Sequence, residues 1–206
     1  MKRAPQFELI AGSVPLDFAN TLDDRFTDQP KELLGSYRDL LVFAEECGVF
    51  SKAESEHLAA KSLQNKDAAQ RALKNAIRMR EAMFEVFWAI VQKKPVPLSA
   101  LAVLNEYVQE ASQHSILAPS KGRFEWQFDS ATNSLDAPLW PIARSAADLL
   151  ASDQLEFVRV CASKTCDWFF LDESKNHRRR WCDMTKCGNR AKVQRFYSRK
   201  KKEEAQ

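Results

Sequence analysis

Glycine, histidine and long apolar stretches are all scarce in this chain, whose 206 residues include 5 glycines and 3 histidines. None of the glycines stands in a phosphate-loop pattern, and neither a serine-centred elbow nor a metal-binding histidine pair on a helix occurs. The sequence therefore supports no enzyme. No run of about 18 apolar residues is present, so no membrane-spanning helix is expected. Met1-Lys2-Arg3-Ala4-Pro5 is not followed by the apolar core of a secretory leader, which leads us to expect a cytoplasmic protein. In that reducing setting the five cysteines read as metal ligands or free thiols rather than as a disulfide framework.

What is present is an ordinary globular composition, 45% hydrophobic, sufficient for one sizeable core and a small appendage. The net charge of +3 conceals a strong asymmetry. Residues 1–155 carry 17 Lys and Arg against 21 Asp and Glu, net −4, whereas residues 156–202 carry 14 against 5, net +9. Segregation of this kind points to a C-terminal module that meets polyanions, attached to a larger domain that does not.

Apolar residues in the larger domain recur at spacings of three and four, the signature of helices. Leu40, Leu41, Ala44 and Cys47 form one stripe, stopped by Gly48. Ser51 and Glu54 make a capping box that opens a second helix. The longest helix is expected over 67–94, ended by Pro95 and Pro97, and another over 98–112. Phe124, Trp126 and Phe128 then alternate with polar residues after a Pro119-Ser120-Lys121-Gly122 turn, predicting a β-hairpin laid against the helical body. A last helix over 138–150 closes a domain spanning 1–153, followed by the basic module over 154–206. The fold class is mainly α with a small β-hairpin.

The cysteines of the module stand as Cys161-x4-Cys166 and Cys182-x4-Cys187. Two tight pairs joined by a middle segment supply four thiolates to one tetrahedral site, filling every position on a zinc ion and leaving none for water. The metal is then structural, one per chain. His177 lies between the pairs and reads as a loop histidine rather than a ligand. Residues 167–172 are expected as one strand and Arg178-Arg179-Arg180-Trp181 as the returning strand, with a helix opening after Cys187. The architecture expected is treble-clef-like or zinc-ribbon-like. On the helix, Val193, Phe196 and Tyr197 are expected to pack inward while Lys192, Arg195, Arg199 and Lys202 form a basic stripe. Candidate nucleic-acid contacts are Arg178, Arg179, Arg180, Arg190, Lys192, Arg195 and Arg199, with Arg190 also placed to bond within the finger.

The string Arg180-Trp181-Cys182-Asp183-Met184-Thr185-Lys186-Cys187-Gly188-Asn189-Arg190-Ala191-Lys192 resembles the signature of CGNR zinc fingers, and 166–172 resembles its first half. Gly12 with Leu16-Asp17-Phe18-Ala19-Asn20-Thr21 is similar to the hallmark of the ABATE domain, although Ala19 stands where a larger apolar residue is expected. The resemblance implies a bacterial stress-response transcription regulator, with both DNA and RNA considered as targets for its family.

Asp17, Asn20, Thr21 and Asp24 would share one helix face, giving either a small-ligand or sensor site or, preferably, a structural arrangement in which Asp17 and Asn20 satisfy buried backbone groups or pair with Arg78 or Arg80. Cys47 and His57 have nothing to bring them together as nucleophile and base, and a core thiol is the expectation. The reading overall is a regulator whose helical domain senses an effector or forms a homodimer and whose zinc module binds DNA in preference to RNA. Its rivals are an RNA-binding zinc protein, with Trp168, Phe170 or Tyr197 as stacking platforms, and a zinc-held protein-interaction module.

Overall fold

Helix boundaries follow the capping chemistry of the chain. The computed structural model describes residues 5–128 and 133–203, with side chains as far as Ser198. Helix α1 covers Val14–Ala19, β1 Leu22–Asp23 and β2 Lys31–Glu32, and α2 runs Tyr37–Glu46 from an Ser36 cap. Gly48, at φ +72, takes the left-handed turn that ends α2. Ser51 and Glu54 form both halves of the capping box and open α3, Lys52–Gln64. Asn65 caps α4, Lys66–Val91, which is the spine of the body, and α5 spans Leu98–Gln113. Lys121 and Gly122, both at positive φ, join β3, Ser115–Ser120, to β4, Arg123–Phe128. After α6, Leu139–Leu150, come a 3-10 turn over Asp153–Phe157, β5 Val158–Val160 and β6 Phe169–Leu171. A π-helical turn over Met184–Gly188 leads into α7, Asn189–Glu203.

The core lies among α1, α2, α4, α5 and α6, where Phe18, Leu40, Phe43, Met79, Phe87 and Trp140 are buried. It does not stop at residue 153. Val158, Phe169 and Leu171 belong to the same apolar cluster, and the fully buried Phe169 ring sits 5.2 Å from Phe84 and 6.0 Å from Phe87. Helical body and basic module thus share one core.

Three expectations are corrected. The partner of β6 is β5, with Val160 opposite Phe169, and Arg178–Trp181 forms no strand. Asp172 explains the difference: its buried carboxylate accepts from Ser174 N at 3.1 Å and Arg179 N at 2.9 Å, tying the returning segment into a compact loop. Secondly, the β3–β4 hairpin meets the body through the end of β4 and is otherwise largely exposed. Phe128 packs against the core, whereas Leu117, Phe124 and Trp126 are exposed. Thirdly, Val193, Phe196 and Tyr197 are exposed on α7, which leads outward from the π-turn.

Candidate metal centre and its basic surround

Each cysteine arrives on an element fixed by backbone bonds. Cys161 leaves the end of β5, and its N–H donates to Trp168 O at 2.9 Å, closing a knuckle that carries Cys166 between β5 and β6. Ala162 N donates to Arg180 O at 2.8 Å and draws the second half of the module alongside. There Asp183 accepts from Thr185 N at 2.6 Å and caps the π-turn bearing Cys187, whose last residue returns a bond from Gly188 N to Asp183 O at 3.0 Å. Cys182 precedes that turn and Cys187 lies within it.

The four sulfurs lie within 4.8 Å of one another, with Cys166 and Cys182 at 3.6 Å and Cys182 and Cys187 at 3.7 Å. A tetrahedral ion with bonds of about 2.3 Å separates its sulfurs by about 3.8 Å, so the quartet fits zinc in both donor chemistry and spacing. Trp168, Phe170 and the half-buried Trp181 and Ile10 surround the sulfurs and limit solvent access.

The residue matches are equally direct. Residues 12–153 match the family model ABATE, described as "Putative stress-induced transcription regulator". The chain belongs to the ABATE family. Residues 158–200 match the CGNR zinc finger, so the quartet is the zinc site of a CGNR finger and holds one structural ion. No curated protein matches the chain. Among the described residues, no helix is long and apolar enough to cross a membrane.

The ABATE hallmark residues touch the finger. In an antiparallel ladder, alternate residues turn their N–H and C=O away from the partner. Phe169 and Leu171 of β6 do so, and the groups they turn out are met by the N-terminal segment. Asn20 Oδ1 accepts Phe169 N at 2.8 Å and Asn20 Nδ2 donates to Phe169 O at 3.0 Å, so one amide side chain replaces a strand partner. Leu171 N donates to Ala11 O at 2.7 Å, and Asp17 Oδ1 holds Ala11 in place by accepting its N–H at 2.9 Å. Burial raises the Asp17 carboxyl from 3.8 to about 6, against the lowering effect of the Ala11 and Ile10 amides. Thr21 Oγ1 donates to Phe18 O at 2.7 Å. Helix α1 ends before Asp24, so the face expected to hold four polar residues is shorter; Asp17, Asn20 and Thr21 bond backbone, and Thr21 Oγ1 also lies 3.5 Å from Arg80 Nη1. Asp17 and Asn20 bond no arginine here: Arg80 pairs with both Glu32 oxygens, at 2.6 and 2.8 Å, and Arg78 with Glu106 at 2.7 Å. Trp168 Nε1 donating to Asp23 at 2.7 Å, and Lys186 paired with Glu8, complete the junction.

The expected cationic contacts divide into two groups. Arg179 is turned inward: Nε donates to Trp181 O at 2.9 Å, Nη2 to Cys182 O, and the guanidinium lies 4.6 Å over Phe170. Arg190 Nη1 donates to Thr165 Oγ1 at 2.6 Å, linking the first knuckle to α7. Arg178, Arg180, Lys192 and Arg195 are exposed, the last two on α7, with Arg180 and Arg195 on the Trp181 ring at 5.4 and 5.9 Å. The Arg199 side chain lies outside the described residues. Trp168 and Phe170 are buried and present no stacking surface, whereas Tyr197 is 61% exposed. His177 stacks on Phe157 at 3.9 Å, with Nδ1 2.8 Å from Asp172 O. Cys47, pushed up to about 12 by burial and by nearby Asp17 and Glu46, is the reverse of an activated thiol.

Proposed function

We propose that the chain is a cytoplasmic transcription regulator that binds duplex DNA through the finger, without catalysis of its own, while the helical body senses an effector or pairs with a second copy. The observation that carries the reading is the exposure of Arg178, Arg180, Lys192 and Arg195 around a metal-fixed scaffold of net charge +9 over residues 156–202. Guanidinium and ammonium groups held on rigid elements match phosphate oxygens. With about four phosphate contacts, affinity falls about 10²-fold between 50 and 200 mM salt. The test is titration of a labelled duplex at several salt concentrations by the parent, Arg178→Ala/Arg180→Ala and Lys192→Ala/Arg195→Ala. Each double variant is expected to reduce the log–log salt slope by about two. A parental slope in both, with zinc retained, removes this face from consideration.

A second reading, binding of single-stranded RNA, is favoured by Phe196 and Tyr197, aromatic rings exposed on the same basic helix. Competition between duplex and single-stranded probes separates the two.

A further inference from the structure

The helical body contains a cleft that neither the zinc centre nor the basic face uses. It opens among the start of α3, strand β4 and the start of α6, has a volume of about 340 Å³, and is lined by Phe50, Trp126, Phe128 and Trp140 together with Glu54 and His57. That volume suits a small organic molecule, and the mixture of aromatic walls with a few polar groups is that of a ligand site.

The walls are fixed in advance. Trp140 is buried, stacked by His114 at 3.7 Å with 9° between the planes, and its Nε1 donates to Glu110 at 3.3 Å. Phe128 lies 6.5 Å from it. Glu54 is held by the capping box, one carboxylate oxygen accepting Ser51 N at 2.7 Å. His57 Nε2 is 3.4 Å from Asn133 Oδ1. Trp126, by contrast, is 57% exposed at the mouth of the cleft, a large apolar surface open to solvent.

The chemistry favours one charge class. Among the described lining residues, the charged group is the Glu54 carboxylate, and Arg144, the cation beside them, is paired with Asp148 at 2.9 Å. Aromatic faces attract cations, and the Trp126 ring already takes the Arg144 guanidinium at 5.2 Å. The geometry points to a binding site for a small aromatic amine, its ring against Trp126 and Phe128 and its ammonium on Glu54. This site is independent of the DNA reading, since it is tested by direct binding and uses no residue of the finger.

Three probes with one ring and different charge test it: phenethylamine, 2-phenylethanol and phenylacetate, titrated while the indole N–H signals of the protein are followed by NMR. Phenethylamine is expected to shift Trp126 and Trp140 saturably, with phenylacetate at least tenfold weaker. Glu54→Gln keeps the cap, because glutamine also serves in a capping box. It should weaken phenethylamine about tenfold, the loss of one charged hydrogen bond, and leave the alcohol unchanged. Trp126→Ala, at an exposed position, should weaken all binding without unfolding the body. Equal affinity for the three probes, saturation that moves other indoles instead, no saturable shift, or parental affinity in Glu54→Gln would each overturn the assignment.

Discussion

Replacing Asn20 by alanine removes the clasp between the helical body and the finger, and its cost can be worked out from two bonds. The Asn20 side chain accepts Phe169 N at 2.8 Å and donates to Phe169 O at 3.0 Å, and both residues are buried. Neither backbone group can turn to β5, because Phe169 stands at the Val160 position of the ladder, where its N–H and C=O point outward. Alanine therefore leaves one donor and one acceptor buried without partners, each costing about 1–3 kcal/mol, so the variant should lose about 2–6 kcal/mol. For a chain of this length that lowers the thermal midpoint by about 4–24 °C. Asn20→Asp should fare no better, since it keeps the acceptor for Phe169 N but turns a second lone-pair oxygen on Phe169 O. The assay is calorimetry of both variants beside metal analysis, with the zinc content expected to stay at one per chain. A loss under about 0.5 kcal/mol in Asn20→Ala, within the range of an inert surface change, would refute the clasp.

Metal analysis of protein purified without added zinc should give one zinc per chain, and a value near zero would contradict the tetrathiolate site. Cys182→Ser should abolish that zinc and, because Phe169 and Leu171 belong to the common core, lower the stability of the helical body as well; an unchanged unfolding midpoint would count against the shared core. Arg179→Ala should weaken zinc retention by freeing the Cys182 carbonyl, whereas Arg178→Ala, at an exposed position, should leave zinc unchanged; a competition assay against a chelator reads both. Asp17 is more basic in the fold, at about 6, than in the unfolded chain, at 3.8, so the folded state holds its proton more tightly. Its contribution is fully present below 3.8 and is lost as pH rises through 6, amounting at most to about 3 kcal/mol. Asp17→Asn should flatten stability between those limits, and an identical pH profile in parent and variant would contradict the shift.

Much of this molecule was legible because its signals are local. Gly48, the Ser51–Glu54 box and the proline stop after α4 each act within one helical turn, and the cysteine spacing encodes a coordination number. What was hidden depends on contacts far apart in sequence or on competition between partners. Nothing near Asn20 announces that its amide will serve as a strand partner for Phe169. The turn after 167–172 suggested Arg178–Trp181 as a returning strand, yet the Asp172 carboxylate claims the Arg179 amide first. Val193, Phe196 and Tyr197 have the spacing of a buried face, but α7 extends beyond any surface that could receive it. Basic residues look alike on paper, and only the structure shows that Arg179 is turned onto the Trp181 and Cys182 carbonyls and that Arg190, though exposed, is tied to the Thr165 hydroxyl.

The aromatic slot on α4 has a consequence for synthesis on the ribosome. Phe84, Phe87 and Trp88 are made long before Phe169, the ring they receive. Until the first knuckle emerges, the nascent body carries an uncovered greasy groove and, on its N-terminal segment, an amide and a carbonyl at Asn20 and Ala11 that await a strand. Completion of the body therefore waits on the last quarter of the chain, and a truncated product ending before Val158 is a body without its closing piece, marked for chaperones or proteases by the surface the finger would have hidden.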